Sequence, residues 1–439
     1  VVLDGVKDAF FEEIVEIKRM LNDAVYDFQR VLVPFAEFFV DPVNGNDGNS
    51  GTKEEPFLSI ERTRDAAQTI SYQMDGDIIV NLLGGTYDYS EKDLTFTAQD
   101  SGKNGYYIVY RAPSGELPVI NGGKQINGWT LFDSEKNIYR APAEHIQSRQ
   151  FYVNGIRATR ARKDIDSAGW TYDSGEFGHT APAEFSYLKD LHNLSEAELV
   201  YYSAWTNPRC KIKSVSVDED ETVKVEMQQP GWNSIRNKGG SSAKNPWYIE
   251  NAYEFLDEEG EWYLDAVDGY LYYKPRQGEN LENAYTVLAA NDGEMVTIAG
   301  SSPDNVVKNL LFSGITFSYS TWMRPSTAYG HSDAQNNHLR DSADKTLSGD
   351  TLPPAAVSAQ YAHSVDFTNC EFSHLGISAL KMIRCIQDCR IYTNRFYDIS
   401  GSAVNVGEPA TGKIDNAYPN NFNYLPAHEK YYIRNNNII

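Results

Sequence analysis

The last third of this chain repeats itself, and no other feature limits the possible fold so strongly. Phe312-Ser-Gly-Ile-Thr-Phe317, Phe367-Thr-Asn-Cys-Glu-Phe372, Ile391-Tyr-Thr-Asn-Arg-Phe396 and Ile433-Arg-Asn-Asn-Asn-Ile438 all carry apolar residues five apart, with a small residue or Asn shortly after the first. A second register agrees. Ala356-Val357-Ser358-Ala359, Ala379-Leu380-Lys381-Met382 and Ala403-Val404-Asn405-Val406 follow one another at offsets of 23 and 24. A period in the low twenties, made of short strands and turns, is the signature of a solenoid. With no helical pattern between the strands, leucine-rich and βαβ architectures are excluded. The expectation is a mainly β protein built on a parallel β-helix.

Other segments fit around that core. Phe10, Ile14, Ile17, Leu21, Val25, Phe28 and Leu32 recur at helical spacing, so residues 6–32 read as one amphipathic helix, stopped by Pro34. The run Asp41 to Gly51 is dense in Asx and Gly. It leaves a structural calcium open, but the Glu that would close an EF-hand is not in place, and a structural turn is the better reading. Residues 60–72 have helical spacing and are expected to cap the open edge of the solenoid. Short strands follow at Ile78–Leu83, Leu94–Thr97, Tyr106–Tyr110 and Val119–Ile120. Between 128 and 283 the repeat vanishes, and six of the seven Trp fall there with a hairpin turning at Asp268-Gly269. The division expected is therefore a helical segment over 1–36, a first solenoid part over 37–127, a β-rich insert over 128–283, and a second solenoid part over 284–439.

Composition narrows the partners. With 61 acidic against 39 basic residues the formal net charge is −22, which opposes nucleic acid and anionic membrane surfaces. No run approaches the ~18–20 apolar residues of a membrane span. Cys210, Cys370, Cys385 and Cys389 are too few for a disulfide framework and lack metal-ligand spacing, so they read as buried apolar residues. No cofactor and no metal centre is expected. The chain opens on Val1 without a leader and stops on a fresh repeat at Ile439, which suggests a processed or truncated product.

Chemistry is sought on the solenoid wall. Alternation along the second register turns Val357, Leu380 and Val404 inward and stacks Ser358, Lys381 and Asn405 outward as a polar ladder. Two long excursions interrupt the repeat and are expected to leave the same side. The one after Asn405 carries Glu408 and Asp415, seven apart. The other, Trp322 to Pro354, brings Trp322, Arg324, Tyr329, His331 and Gln335. Two carboxylates, an aromatic platform and hydroxyl-binding Arg, Gln and Asn are the parts of a glycosidase site. A rival carboxylate set is Asp388 with Asp398 or Glu371. Asp398 aligns with His374 and Tyr319 and reads as a turn residue.

The run Asp41 to Thr52 with Glu55-Pro-Phe57, the segment Phe151-Tyr-Val-Asn-Gly-Ile-Arg-Ala-Thr-Arg-Ala-Arg162, and Glu261-Trp-Tyr-Leu-Asp265 with Gly269-Tyr-Leu-Tyr-Tyr-Lys-Pro275 resemble the right-handed β-helix glycoside hydrolases over most of residues 38–439. A helical segment ahead of the solenoid makes the lacto-N-biosidases the nearest guess, with related xylosidases, xylanases and fucosidases beside them. The resemblance implies a secreted or cell-surface bacterial enzyme acting on oligosaccharides. It also implies a retaining, exo-acting mechanism with two Asp residues at short separation. The matching positions are Glu408 and Asp415, with Glu where Asp is expected. One repeat earlier they would be Lys381 and Asp388, and a nucleophile would be missing. Two alternatives stay open: a polysaccharide lyase using Lys381 or Arg384 as base, and a non-catalytic glycan-binding β-helix.

Overall fold

The computed structural model describes residues 32–172, 177–202, 206–236, 245–334, 338–340, 350–407 and 437–438. The helix expected over 6–32 falls almost wholly outside them, as do Gln335, Glu408 and Asp415. The fold is mainly β.

Three ladders of parallel strands stack successive repeats on one another. The first runs through Pro34–Val40, Asp77–Leu82, Ile108–Arg111, Val307–Ser313, the second half of Ala355–Thr368, Arg390–Tyr392 and Asn437–Ile438. The second joins Gly85–Asp88, Pro118–Asn121, Thr316–Ser318, Glu371–Leu375 and Arg395–Ile399. The third joins Leu94–Phe96, Val296–Ala299, the first half of Ala355–Thr368, Ser378–Gln387 and Val404–Val406. Apolar repeat positions fall in register, Phe312 beside Phe367 and Phe367 beside Ile391. Their rings stack in the core: Tyr110, Phe312 and Phe367 at 5.4 and 5.2 Å, and Phe317, Phe372 and Phe396 at 4.9 and 4.8 Å. Such contacts add to the burial of apolar area that holds the stack together.

The corners are turned by residues that tolerate a left-handed backbone. Asn369 and Thr393 both have positive φ one repeat apart, and the Thr393 hydroxyl donates to the Asn369 amide oxygen at 2.6 Å. Asn394 holds the same corner, donating to the Phe367 carbonyl and accepting the Cys370 amide. One repeat registers differently from the sequence reading. Ile391 pairs with Ile438, whereas the pattern had placed Ile433 there. In a segment whose Ile residues stand five apart, either can satisfy the apolar position.

Ser59 caps the helix Ile60–Ile70 by accepting the Arg62 amide, and Ile60 and Ala67 enter the core of the ladders. The terminal strand Pro34–Val40 is met by backbone bonds from residues 51–57: Phe39 donates to Gly51, Phe57 donates to Phe39, and Asp41 donates to Phe57. Asp41 and Asp47 accept backbone amides of Val43, Asn44, Leu58 and Ser59, so their carboxylates organise a turn. The four cysteines are buried and form no disulfide. No helix among the described residues is long and apolar enough to cross a membrane.

Between Asn121 and Asn291 the chain leaves the ladders for mostly antiparallel sheets with two apolar cores of their own. Outgoing Gly123–Gln125 and returning Thr286–Ala289 are hydrogen-bonded neighbours. The hairpin falls where Asp268-Gly269 predicted it, pairing Trp262 with Tyr273 and Asp265 with Tyr270.

Candidate functional site

Both the intervening segment and the excursion after Thr321 leave the stack at one corner, between the second and third ladders. Asn121, which precedes the first, pairs with Ser318, which precedes the second. A cleft of about 580 Å³ opens there. Gly376, Ile377, Ser378, Ser400 and Gly401 form its ladder side, and Arg149, Arg157, Arg160, Arg162, Arg209 and Glu250 its other wall. The walls fit tightly, since a Cβ on Gly376 would stand 2.3 Å from Oε1 of Gln150.

The arginine wall rests on two buried carboxylates. Glu198 and Glu250 sit directly opposite each other on antiparallel strands, where like charges repel. Guanidinium groups resolve the conflict. Arg149 Nη1 donates to both oxygens of Glu198 at 2.6 and 2.9 Å, and its Nη2 donates to Glu250 at 3.1 Å. Arg160 donates to Glu198 at 3.2 Å and to Glu250 at 2.9 Å, and Arg209 reaches Glu250 at 3.3 Å. Burial pushes the Glu198 carboxyl up, but Arg149, Arg160 and Arg209 together hold it far below the usual range. Alternation explains the placement: Ala161 enters the segment's apolar core, while Arg160 and Arg162, two apart, share the cleft side.

At the ladder corner, Tyr319, His374 and Asp398 occupy the same place in successive repeats, all with positive φ. Non-glycine residues rarely hold this conformation unless their surroundings impose it. Asp398 is a turn residue, as its spacing predicted, but its carboxylate is engaged. Arg157 Nε donates to it at 2.7 Å, and His374 Nδ1 lies 2.9 Å from its other oxygen. Burial acts to raise the Asp398 carboxyl, yet the His374 hydrogen bond and the Arg157 charge hold it below its ordinary value. Arg157 also bonds Ser400, the Leu375 carbonyl and the Asp398 carbonyl, clamping the intervening segment to the stack.

The residues singled out from sequence scatter. Trp322 and His331 line the cleft together, ring edge to ring face at 5.7 Å. Reciprocal backbone bonds with Arg209 fix His331 to the opposite wall, and Asp333 stands 3.8 Å from its ring. Arg324 lies outside the cleft lining, with its guanidinium over Tyr329. Ser358, Lys381 and Asn405 do form a registered ladder. Lys381, however, is held by Glu294 at 2.6 Å, away from the cleft. Asn405 stands behind the cleft, its amide on Ser378. Asp388 is exposed at a turn between the third and first ladders, a different corner from the one the cleft occupies. The two excursions likewise leave from different corners. Gly407, the last residue before Glu408, bonds Met382 at the far end of the third ladder, while Trp322 follows the cleft corner. Sequence reading missed the arginine wall and its carboxylates. The signal was the cluster Arg157, Arg160 and Arg162 in a chain otherwise rich in acid.

Comparison with known proteins agrees on class. Residues 137–276 match the family model described as the GH141 insertion domain. A solved structure titled "Glycoside hydrolase" is 26% identical, with a TM-score of 0.67 over 81% of this chain and 65% of that one. The chain thus spans just under two thirds of that relative. Two weaker likenesses carry no argument: XylC in complex with xylose, 12% identical with a TM-score of 0.36 over 83% and 54% of the two chains, and the GH136 lacto-N-biosidase from Eubacterium ramulus, 9% identical with a TM-score of 0.24 over 90% and 59%. No curated protein matches the sequence. The lacto-N-biosidase expectation thus meets only a distant likeness, whereas the stronger likenesses are to the GH141 insertion domain and to the structure titled "Glycoside hydrolase".

Proposed function

We propose that this chain is the cleft-bearing part of a glycoside hydrolase. Its three ladders are read as one right-handed parallel β-helix, with residues 128–283 as an inserted module walling the cleft. The observation that carries the reading is Asp398, a half-buried carboxylate kept ionised by Arg157 and His374; it is not itself among the cleft-lining residues, but its partner Arg157 and its neighbour Ser400 are. An ionised carboxylate beside the scissile bond serves as nucleophile in retaining enzymes or as base in inverting ones. Trp322 gives an apolar ring face to a sugar, and the exposed Ser400 gives a hydroxyl. The second carboxyl, the acid for the leaving oxygen, is sought among Asp333, which lines the cleft, and Glu408 and Asp415, on the chain that sets out from the other corner after Gly407. An exo-acting, retaining enzyme on lacto-N-biose-type or similar glycans fits this reading, with export to the cell surface or medium.

The test is a screen against aryl lacto-N-biosides, xylosides and fucosides, comparing the parent with Asp398→Asn, Glu408→Gln and Asp415→Asn. Asp398→Asn should lower kcat by a factor on the order of 10²–10⁴, far more than the modest loss of melting temperature expected from weakening its contacts with Arg157 and His374. Proton NMR of the first-formed anomer reads retention or inversion. Full activity in Asp398→Asn would refute the assignment, and an unsaturated ultraviolet-absorbing product would replace hydrolysis with the lyase reaction.

A further inference from the structure

We propose that the cleft selects a sugar bearing an anionic substituent, a carboxylate or a sulfate ester, through the positive charge of its arginine wall. This deepens the proposed function, since it rests on the cleft being the glycan site. The molecule as a whole is strongly acidic, with a formal charge of −22, yet the wall runs the other way. Arg149, Arg160 and Arg209 share only two carboxylates, Glu198 and Glu250, so the buried network keeps one positive charge in excess. Arg162, exposed at the cleft, adds a second; its guanidinium lies 5.1 Å over the Tyr248 ring, and no carboxylate pairs with it among the described residues. Asp333, the other carboxylate of the lining, offsets one of the two, which leaves a net excess of one. Arg157 contributes none, being matched by Asp398.

Hydrogen bonding points the same way. The Nε atoms of Arg160 and Arg209 are buried without an acceptor among the described residues, although both side chains line the cleft. Being buried, these two donors do not themselves meet a ligand; they show that the wall carries more cationic donors than its carboxylates accept. Asn207 tethers Arg209 through its amide oxygen at 2.7 Å, fixing the guanidinium plane before any ligand arrives. A planar guanidinium held in this way suits the two-oxygen edge of a carboxylate or sulfate. Protein walls around the cleft concentrate this local field against the acidic remainder of the surface. A neutral sugar would leave the excess charge without a partner. An acidic one would neutralise it.

The experiment is equilibrium calorimetry on the full chain, which needs no turnover and so stands apart from the hydrolase assay. One arm compares trigalacturonate with its fully methyl-esterified form; the other compares galactose 6-sulfate with galactose. In at least one arm the anion should bind about tenfold or more tightly than its neutral partner at low salt, as one charge-assisted contact warrants. The gap should shrink in 1 M NaCl, where the screening length falls to about 3 Å. Arg162→Gln, at an exposed position, should remove most of the preference, and Arg209→Gln provides a second variant from the buried edge. The arm that shows the gap identifies the substituent. Equal binding of anion and neutral partner in both arms would overturn the proposal, as would a preference that survives both substitutions unchanged.

Discussion

Replacing Glu198 by Gln tests the buried network on which the cleft wall stands. Glu198 is fully buried, and its oxygens accept Arg149, Arg160 and Ser326 at 2.6 to 3.3 Å. Gln preserves the shape and removes one of two negative charges, leaving three guanidinium groups around Glu250 alone. Breaking a buried pair by neutralising one partner costs about 3–5 kcal/mol, because the remaining charge is uncompensated. With a urea slope of roughly 2–3 kcal/mol/M, the unfolding midpoint should fall by roughly 1–2 M. Asp218→Asn is the control, since its ion pair with Lys224 is exposed on both sides and should contribute little. The sign with pH follows from the depressed Glu198 carboxyl. Its stabilisation is fully present above the unfolded value of about 4.3 and is lost as pH falls through the lower folded value. The parent should therefore lose, between about pH 5 and 2, a component of stability that the variant lacks from the start. Urea titrations followed by tryptophan fluorescence at pH 7 and pH 3 read both effects. A midpoint for Glu198→Gln equal to that of Asp218→Asn would refute the argument.

Two further outcomes test the stack. Phe312→Ala removes a buried ring stacked between Tyr110 and Phe367 and should cost about 3–5 kcal/mol in the same titration; a loss below about 1 kcal/mol would contradict the ring column. Burial pushes the Cys370 and Cys389 thiols up to about 12, so a thiolate-directed aromatic disulfide reagent should label none of the four cysteines natively and all four in guanidinium; native labelling would show that the ladders open.

What could be read from the chain beforehand tracks how local the determining interaction is. Phe312, Phe367 and Ile391 announced their register because parallel stacking sets like residues side by side at a fixed offset. The Asp268-Gly269 turn was legible because its conformation depends on neighbouring residues, with Gly269 at φ 72°. The registration of Ile433 failed because apolarity alone does not choose between two Ile residues five apart. Arg149 and Glu250 stand 101 residues apart with no period between them, so nothing in the pattern could bring them together. Asp398 was recognised as a corner residue, but its partner Arg157 lies 241 positions away, across the whole intervening segment. Lys381 was placed on the correct face, but its partner Glu294 was not legible, because it lies 87 residues back.

The neck between Gly123–Gln125 and Thr286–Ala289 has a consequence for how such a chain can change over generations. The two strands touch, with Gly123 opposite Ala289, so everything between them begins and ends at one point on the stack. Ile108 and Leu310 pair directly across that gap, and the ladder count is the same with or without what hangs from it. A different excursion, longer or shorter, could be exchanged at this point in a single recombination event without shifting any rung. The ladders would pass unaltered from one descendant to the next, while the opposite wall of the cleft was replaced whole.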